Sequence, residues 1–508
     1  MTRSVPRFLL YAIAGVAAAT WPGSVRPLAQ PATDPAVMAP ADPDRARGLA
    51  LLRALADDLD HVPGEVLVKF RAGVEASVQA AVFGLAPAPD KGRRVRWVGE
   101  LAVVSIDSVA RPIAVAARLA REPEVEYAQP NYLARIRATP NDPGFSLQWN
   151  LNAIEASRAW DINAGAADVL VAVVDSGVTT QTLAPTYRLW NGARFELVSI
   201  PYRVNPDLDP ARMLPGIETS SIRLFNPALA TQPVFDSQGH GTHVAGTVLQ
   251  ATNNTLGFAG VAYAARLLPV KSCVSFWDIQ FYLGALGEPG FANPELDGAC
   301  ITSDVIAGVR AAADAGARVI NLSLGGPGPS PAYADAVRYA VERGAFVAIA
   351  MGNEYEDGNP TSYPAAYAPD IDGAMSVGAV GRSLRRAYYS NTGAHLEIAA
   401  PGGDVRDGGL QGVVYQTGLF EPDFDPGSGF FPRFDRYVDS PKQGTSMAAP
   451  HVAGLAALIY SQGITSPAAI EAAIKQFARD LGNPGHDPEH GVGVIDARAT
   501  LRGLGVAR

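Results

Sequence analysis

Four runs in the chain, VLVAVVD at 169–175, RVINLSL at 318–324, AFVAIAM at 345–351 and AMSVGAV at 374–380, are apolar along nearly their whole length. Short continuous apolar runs predict strands covered on both faces, as in a parallel sheet held between helical layers. SDVIAGVRAAADAGA and YADAVRYAVERG lie between such runs and bring their apolar residues round at helical spacing. Strand and helix therefore alternate, which predicts an α/β fold on a doubly wound parallel sheet. In such folds functional groups collect at the carboxyl ends of the strands. QGTSMAAPHVAG at 443–454 runs directly into LAALIY. That stretch predicts a helix without a polar face, hence a buried one. Two segments, 179–235 and 420–442, are polar, Pro-rich and irregular and read as surface insertions.

The texture before residue 138 is different. DRARGLALLRALADDLD has helical apolar spacing. Next, GEVLVKF predicts a strand, GVEASVQAAVFGL a helix and RVRWVGELAVVSID two short strands. PIAVAARLAREPEV predicts a second helix and VEYAQPNYLAR a last strand. The order βαββαβ is that of a small ferredoxin-like α+β module. ATPNDPGF follows it, a Pro-rich exposed junction suited to proteolytic nicking. At the start of the chain, Arg3 and Arg7 precede an apolar stretch at 8–19. It falls short of the ~20 apolar residues a membrane helix needs, and its positive flank and small following residues describe an export signal. The expected organisation is a signal peptide at 1–29, a linker and short helix at 30–61, the small module at 62–137 and an α/β unit at 138–508.

Composition narrows the function classes. The chain has 508 residues, 18% of them charged, with a formal net charge of -9. This is a globular composition, large enough for more than one domain. Its negative balance argues against a nucleic-acid partner, whose phosphates select basic patches. No later segment is long and apolar enough to anchor the chain stably in a membrane. The two cysteines, Cys273 and Cys300, predict a disulfide in an exported protein, with a free thiol pair as the alternative.

Three polar residues stand at predicted element ends. Asp175 closes the strand VLVAVVD, His240 opens HGTHVAGT, and Ser446 lies at the mouth of the buried helix. A serine hydroxyl is a weak nucleophile until a neighbouring base accepts its proton. An imidazole titrates near neutrality and can take that proton and return it to a leaving group. A buried carboxylate fixes the ring tautomer and stabilises the imidazolium. Taken singly, each has a bland explanation: a helix cap, a turn residue, a loop residue. Together they form a nucleophilic set.

VAVVDSGV around Asp175, HGTHVAGT around His240, INLSLGG at 320–326 and GTSMAAPHVAG around Ser446 resemble, in that order, the motifs of the subtilases, the subtilisin-like serine proteases. The resemblance covers roughly residues 140–501, and the 63–137 module resembles the family's inhibitory propeptide. It implies Asp175 as the residue that orients the base, His240 as the base and Ser446 as the nucleophile. Asn353, in AIAMGNEYEDG, matches the family's side-chain donor to the oxyanion, with the Ser446 N–H as second donor. Ser323, Leu324 and Gly325 match the strand that pairs with substrate backbone, and Ala350 and Gly352 border the pocket for a substrate side chain. TNNTLGFAG at 252–260 resembles the family's calcium loop, with Asn254 and Asp142 as ligands of a structural ion; no cofactor is implied for catalysis. The expected protein is a secreted pre-pro-endopeptidase acting on proteins or peptides, with its own propeptide as intramolecular inhibitor, cut off near Ala138.

Two rival readings fail on residues. HDPEH at 486–490 matches the H-x-x-E-H zinc pattern, but Pro488 lies inside it and a helix is needed there. An esterase elbow is G-x-S-x-G, whereas Ala448 occupies the fifth position here. His243 and His451 read as packed core imidazoles, and His61 and His395 have no chemical neighbourhood in the sequence.

Overall fold

The computed structural model describes residues 43–504 except 57–58, 60, 85–94, 108–109, 134–138, 225–228, 230–231, 291–297 and 421–430. The export signal, the linker before residue 43, the junction around Ala138 and the middle of the 420–442 insertion lie outside the described residues. The chain divides into two compact units, Met1–Ile136 and Arg137–Arg508.

In the first unit a helix, α1 (Pro43–Ala56), precedes a βαββαβ succession: β1 (His61–Phe70), α2 (Ala76–Phe83), β2 (Val95–Val98), β3 (Leu101–Ser105), α3 (Pro112–Leu119) and β4 (Val125–Tyr132). The sheet order is β2-β3-β1-β4, every pair antiparallel. Cross-strand partners Val66 and Val104, and Val68 and Ala102, are fully buried and pack with Val115 and Leu119 of α3. Pro112 opens α3, where its missing N–H costs nothing. This is the ferredoxin-like arrangement.

The second unit is built on a seven-stranded parallel sheet. Its strands are β5 (Leu170–Asp175), β6 (Ile217–Glu218), β7 (Arg266–Lys271), β8 (Val319–Leu322), β9 (Phe346–Ala350), β10 (Ala374–Val380) and β11 (Ile398–Pro401), in the order β11-β10-β9-β8-β5-β7-β6. All six residues of β5 are buried, and successive side chains enter different cores, as the strand period of two requires. Val171 and Val173 pack with α4 (His240–Leu249) and α8 (Thr445–Ser461) on one face. Leu170, Ala172 and Val174 pack with α6 (Thr302–Asp314) and α7 (Pro331–Glu342) on the other. Helix α8 is apolar all round and sheathed by protein. Gly454 lets it close on the chain at Val261, where an added Cβ would come within 2.6 Å of the valine Cβ.

The segments 179–235 and 420–442 depart from the expectation of irregular surface insertions. A hairpin at 186–190 and 195–199, the helix α5 (Phe276–Leu286) and a hairpin at 414–419 and 437–442 share a core of their own. Tyr202 stacks between Phe235 (4.2 Å) and Phe434 (4.9 Å), and Tyr187 stacks on Phe281 (3.9 Å). Tyr187 and Tyr202 are scattered among polar residues, and partners such as Phe281 and Phe434 come from distant parts of the chain. No local periodicity records such contacts.

Candidate active site

The carboxyl ends of β5, β8 and β9 and the amino ends of α4 and α8 meet at one cleft. Asp175, His240, Ser323, Leu324, Gly325, Ala350, Gly352, Asn353 and Ser446 all line it. Asp175 is the last residue of β5 and is buried. Its Oδ1 lies 2.7 Å from His240 Nδ1 and accepts the Ser176 N–H at 2.7 Å. A carboxylate cannot donate, so the imidazole carries its proton on Nδ1 and leaves Nε2 as a base. The imidazole is partly open to the cleft, with 28% of its side chain exposed.

His240 is the first residue of α4, whose opening turn is held by the buried Asp236. That carboxylate accepts the N–H groups of Gln238 (3.0 Å), Gly239 (2.8 Å) and Thr242 (3.0 Å), a favourable place for negative charge at a helix N-terminus. Ser176 Oγ donates to Asp236 (3.1 Å) and accepts the Gly241 N–H (2.9 Å), so the Asp175 turn and the His240 helix are stitched together. A Cβ at Gly241 would strike the Gly177 carbonyl, which is why glycine follows the histidine. Burial is the largest influence on the imidazole and pulls its pKa down; the charge and hydrogen bond of Asp175 oppose it and the net direction is upward.

Ser446 sits in the first turn of α8, beside Asn353. In this state its Oγ donates to the Ser323 carbonyl at 3.1 Å, and among the described residues it makes no hydrogen bond to His240. The structure thus joins Asp175 to His240 and brings Ser446 into the same cleft without closing the serine–histidine contact. Pro450 explains a second bond here. It has no N–H, so the Ser446 carbonyl four residues earlier lacks its helical partner, and Ser323 Oγ supplies one at 2.7 Å. Asn321 Nδ2 in turn donates to Ser323 Oγ at 2.9 Å.

Asn353 Oδ1 accepts the N–H (2.8 Å) and the hydroxyl (3.0 Å) of Thr445. Its carbonyl end is committed to the start of α8, leaving Nδ2 as the end with donors to offer the cleft. The Ser446 N–H belongs to the first turn of a helix and has no partner within it. Glu354 Oε2 accepts the Asn353 N–H (2.8 Å) and Asn391 Nδ2 (3.1 Å), bracing the loop from below. Cys273 and Cys300 are joined by a disulfide at the rim of the same cleft.

Three other histidines are engaged by backbone carbonyls. His243 is fully buried with Nε2 against the carbonyls of Ser440 (3.1 Å) and Val414 (3.3 Å), and burial lowers its pKa to about 3. His451 donates from Nδ1 to the Met447 carbonyl (2.8 Å) and receives Asn150 Nδ2 (2.8 Å); burial lowers its pKa to about 4. Residues 486–490 form a turn and not a helix, and His486 is spent on the Leu396 carbonyl at 2.7 Å.

Away from the cleft, Asp142 and Asn254 meet at the 252–258 loop, joined by Asp207, which lies in the inserted segment and was not recognised in the sequence. Asp142 accepts the N–H groups of Asn253 (2.9 Å) and Asn254 (3.2 Å), and Asp207 accepts Asn254 Nδ2 (2.7 Å) and the Phe258 N–H (2.9 Å). Both carboxylates are buried, and among the described residues neither forms an ion pair with lysine or arginine. Burial pushes Asp207 up to about 6, and the nearby Asp142 charge adds to the rise. Two buried carboxylates without a cationic side chain suit a hard divalent cation; Asn254, whose Oδ1 here accepts the Leu256 N–H (2.8 Å), would have to turn that oxygen toward them to join as a ligand.

The model of the subtilase family matches residues 166–493, and that of the fervidolysin N-terminal prodomain matches residues 53–131. The chain is 31% identical over 430 residues to a thermophilic serine proteinase of Bacillus sp. strain AK1, spanning 84% of each chain. It is 32% identical over 399 residues to an extracellular protease of Xanthomonas campestris pv. campestris, covering 76% of this chain and 60% of that one. A solved Pseudoalteromonas arctica protease superposes with a TM-score of 0.51 at 31% identity, covering 72% of this chain and 99% of that one. The chain belongs to the subtilase family and is a subtilisin-like serine protease carrying an N-terminal prodomain.

Proposed function

We propose that the cleft hydrolyses internal peptide bonds through an acyl-enzyme on Ser446. The observation that carries this reading is the 2.7 Å Asp175–His240 hydrogen bond in a cleft shared with Ser446 and Asn353. On substrate binding, Ser446 Oγ leaves the Ser323 carbonyl and turns toward His240 Nε2. Loose nucleophile–base geometry without substrate is ordinary for such sites. His240 Nε2 takes the hydroxyl proton as Oγ attacks the scissile carbonyl carbon. Asp175 holds the ring and stabilises the imidazolium. The oxyanion receives hydrogen bonds from Asn353 Nδ2 and the Ser446 N–H. The imidazolium then returns the proton to the leaving amine, and water cleaves the ester by the same route.

Ser323, Leu324 and Gly325 follow β8 along the cleft and offer main chain for an extended substrate to pair with, while Ala350 and Gly352 border the pocket for its side chain. The same proposal includes export, inhibition by the 62–137 module and its removal near Ala138. It also includes a structural calcium, which Asp142, Asp207 and Asn254 would hold and which would supply the positive charge the two carboxylates lack. Casein digestion by the mature protein tests the reading: Ser446→Ala should abolish it, and a Ser446→Ala protein that digests casein as well as the parent would overturn it.

A further inference from the structure

We infer that the buried Lys271–Asp278 ion pair is a positioning element for the Asp175–His240 couple, clamping the turn after the first residue and the loop before the second. The inference rests on the roles proposed above for Asp175 and His240. Lys271 closes β7 and Asp278 lies in the first turn of α5, within the chain segment that the Cys273–Cys300 disulfide closes. Their side chains are 0% and 2% exposed and meet at 2.8 Å.

Each partner also holds one catalytic loop. Lys271 Nζ donates to the Ser176 carbonyl at 2.7 Å, and the N–H of that same Ser176 is bonded to Asp175 Oδ1. Asp278 Oδ1 accepts Ser237 Oγ at 3.3 Å, and Ser237 follows Asp236, whose carboxylate caps the turn that begins with His240. The other oxygen of Asp278 accepts the N–H (2.9 Å) and hydroxyl (3.0 Å) of Ser275, which pins the carboxylate to the start of α5. One pair is thus bonded to both sides of the couple it would align.

Burying two charges costs desolvation that packed apolar residues of similar volume avoid, so stability alone is a poor reason to keep them. Hydrogen-bond geometry is a better one, since an apolar pair cannot hold the Ser176 carbonyl. The surroundings are charged as well. Arg223 and Glu218, themselves 3.2 Å apart, belong to the same buried charge network, with Tyr187 and Tyr202 beside it. Around His240 the charged groups are Asp175 on β5, Asp236 on the preceding loop and Lys442 on the 437–442 strand, with His243 on its own helix.

The test compares Asp278→Asn and the double variant Lys271→Met/Asp278→Leu with the parent, as mature enzymes on a chromogenic peptide across pH. The double variant removes both charges and keeps the volume, so it separates folding from positioning. Both variants are expected to keep KM and to lose kcat by roughly 10- to 100-fold, the scale of a misplacement of about 1 Å. The acid limb of kcat/KM should move to lower pH, because a loosened Asp175 raises the imidazole pKa less. Parental kcat and acid limb in the folded double variant would overturn the inference; if that variant does not fold, the same result in Asp278→Asn does so. Were the parent itself inactive, with the pair intact, the fault would lie with the roles assigned to Asp175 and His240.

Discussion

Replacing Asp175 by Asn keeps the side-chain shape and removes its charge, and two effects follow from the site geometry. Asp175 Oδ1 lies 2.7 Å from His240 Nδ1 in a buried setting, a charge-assisted hydrogen bond. Such bonds contribute about 1.5–3 kcal/mol. At 1.36 kcal/mol per pKa unit, losing one lowers the imidazole pKa by about one to two units. The sign is set by which form the carboxylate favours. Asp175 stabilises the imidazolium and raises the pKa against burial, so in Asp175→Asn only the Asp236 charge still opposes burial and the base becomes neutral at lower pH. The second effect concerns the tautomer: the amide can present its N–H to Nδ1, which moves the ring proton to Nε2 and disables the base. A loss of kcat on the order of 10⁴ follows, the size seen for this substitution in another serine protease. The assay is kcat/KM for a chromogenic peptide between about pH 5 and 9, with kcat taken at saturation; the acid limb is governed by the pKa of the free enzyme's base. An acid limb that stays in place or moves upward, or a loss of kcat below tenfold, would refute the reasoning.

Other outcomes are equally definite. Asn353→Ala should lower kcat by about 10²–10³ with KM little changed, the known scale for removing such a donor in subtilisin, because the bond forms only once the oxyanion exists. Calcium should raise the melting temperature of the mature protein and a chelator should reverse it, with the shift absent in Asp207→Ala. Since burial raises the Asp207 pKa to about 6, its contribution without metal is fullest below the unfolded value near 3.8 and is lost as pH rises through about 6, so the calcium shift should be larger at pH 8 than at pH 5. His243 and His451 are held neutral, with values of about 3 and 4. Unfolding frees each to take a proton below about pH 6.5, so stability should fall there by about 1.4 kcal/mol per pH unit per histidine. His451→Gln should flatten that slope in urea titrations. Gly454→Ala should cost about 1–3 kcal/mol by overpacking α8 against Val261, read as a lower urea midpoint.

Much of this molecule is legible in its sequence where the physics is local. Buried parallel strands need apolar side chains on both faces, so β5, β8, β9 and β10 announce themselves as continuous runs. The ends of those runs mark where a carboxylate such as Asp175 must find a partner. Legibility fails where partners are far apart. The core of the inserted segments draws Tyr202, Phe281 and Phe434 from three parts of the chain, and nothing in any one of them signals the others. Lys271 and Asp207 look like surface charges until their neighbours are known. Asp236 did leave a trace, as an acid shortly before a helix start. The Ser323–Ser446 bond could have been suspected from Pro450, which strips a helical carbonyl of its donor at the residue of interest.

The most direct test of the central claim is intact-mass analysis and peptide mapping of the mature protein after treatment with a serine-directed sulfonyl fluoride. A single adduct per chain, located on Ser446 and formed in step with the loss of casein hydrolysis, is the result predicted. Full inactivation with the label on another residue, or complete labelling of Ser446 with hydrolysis undiminished, would contradict it.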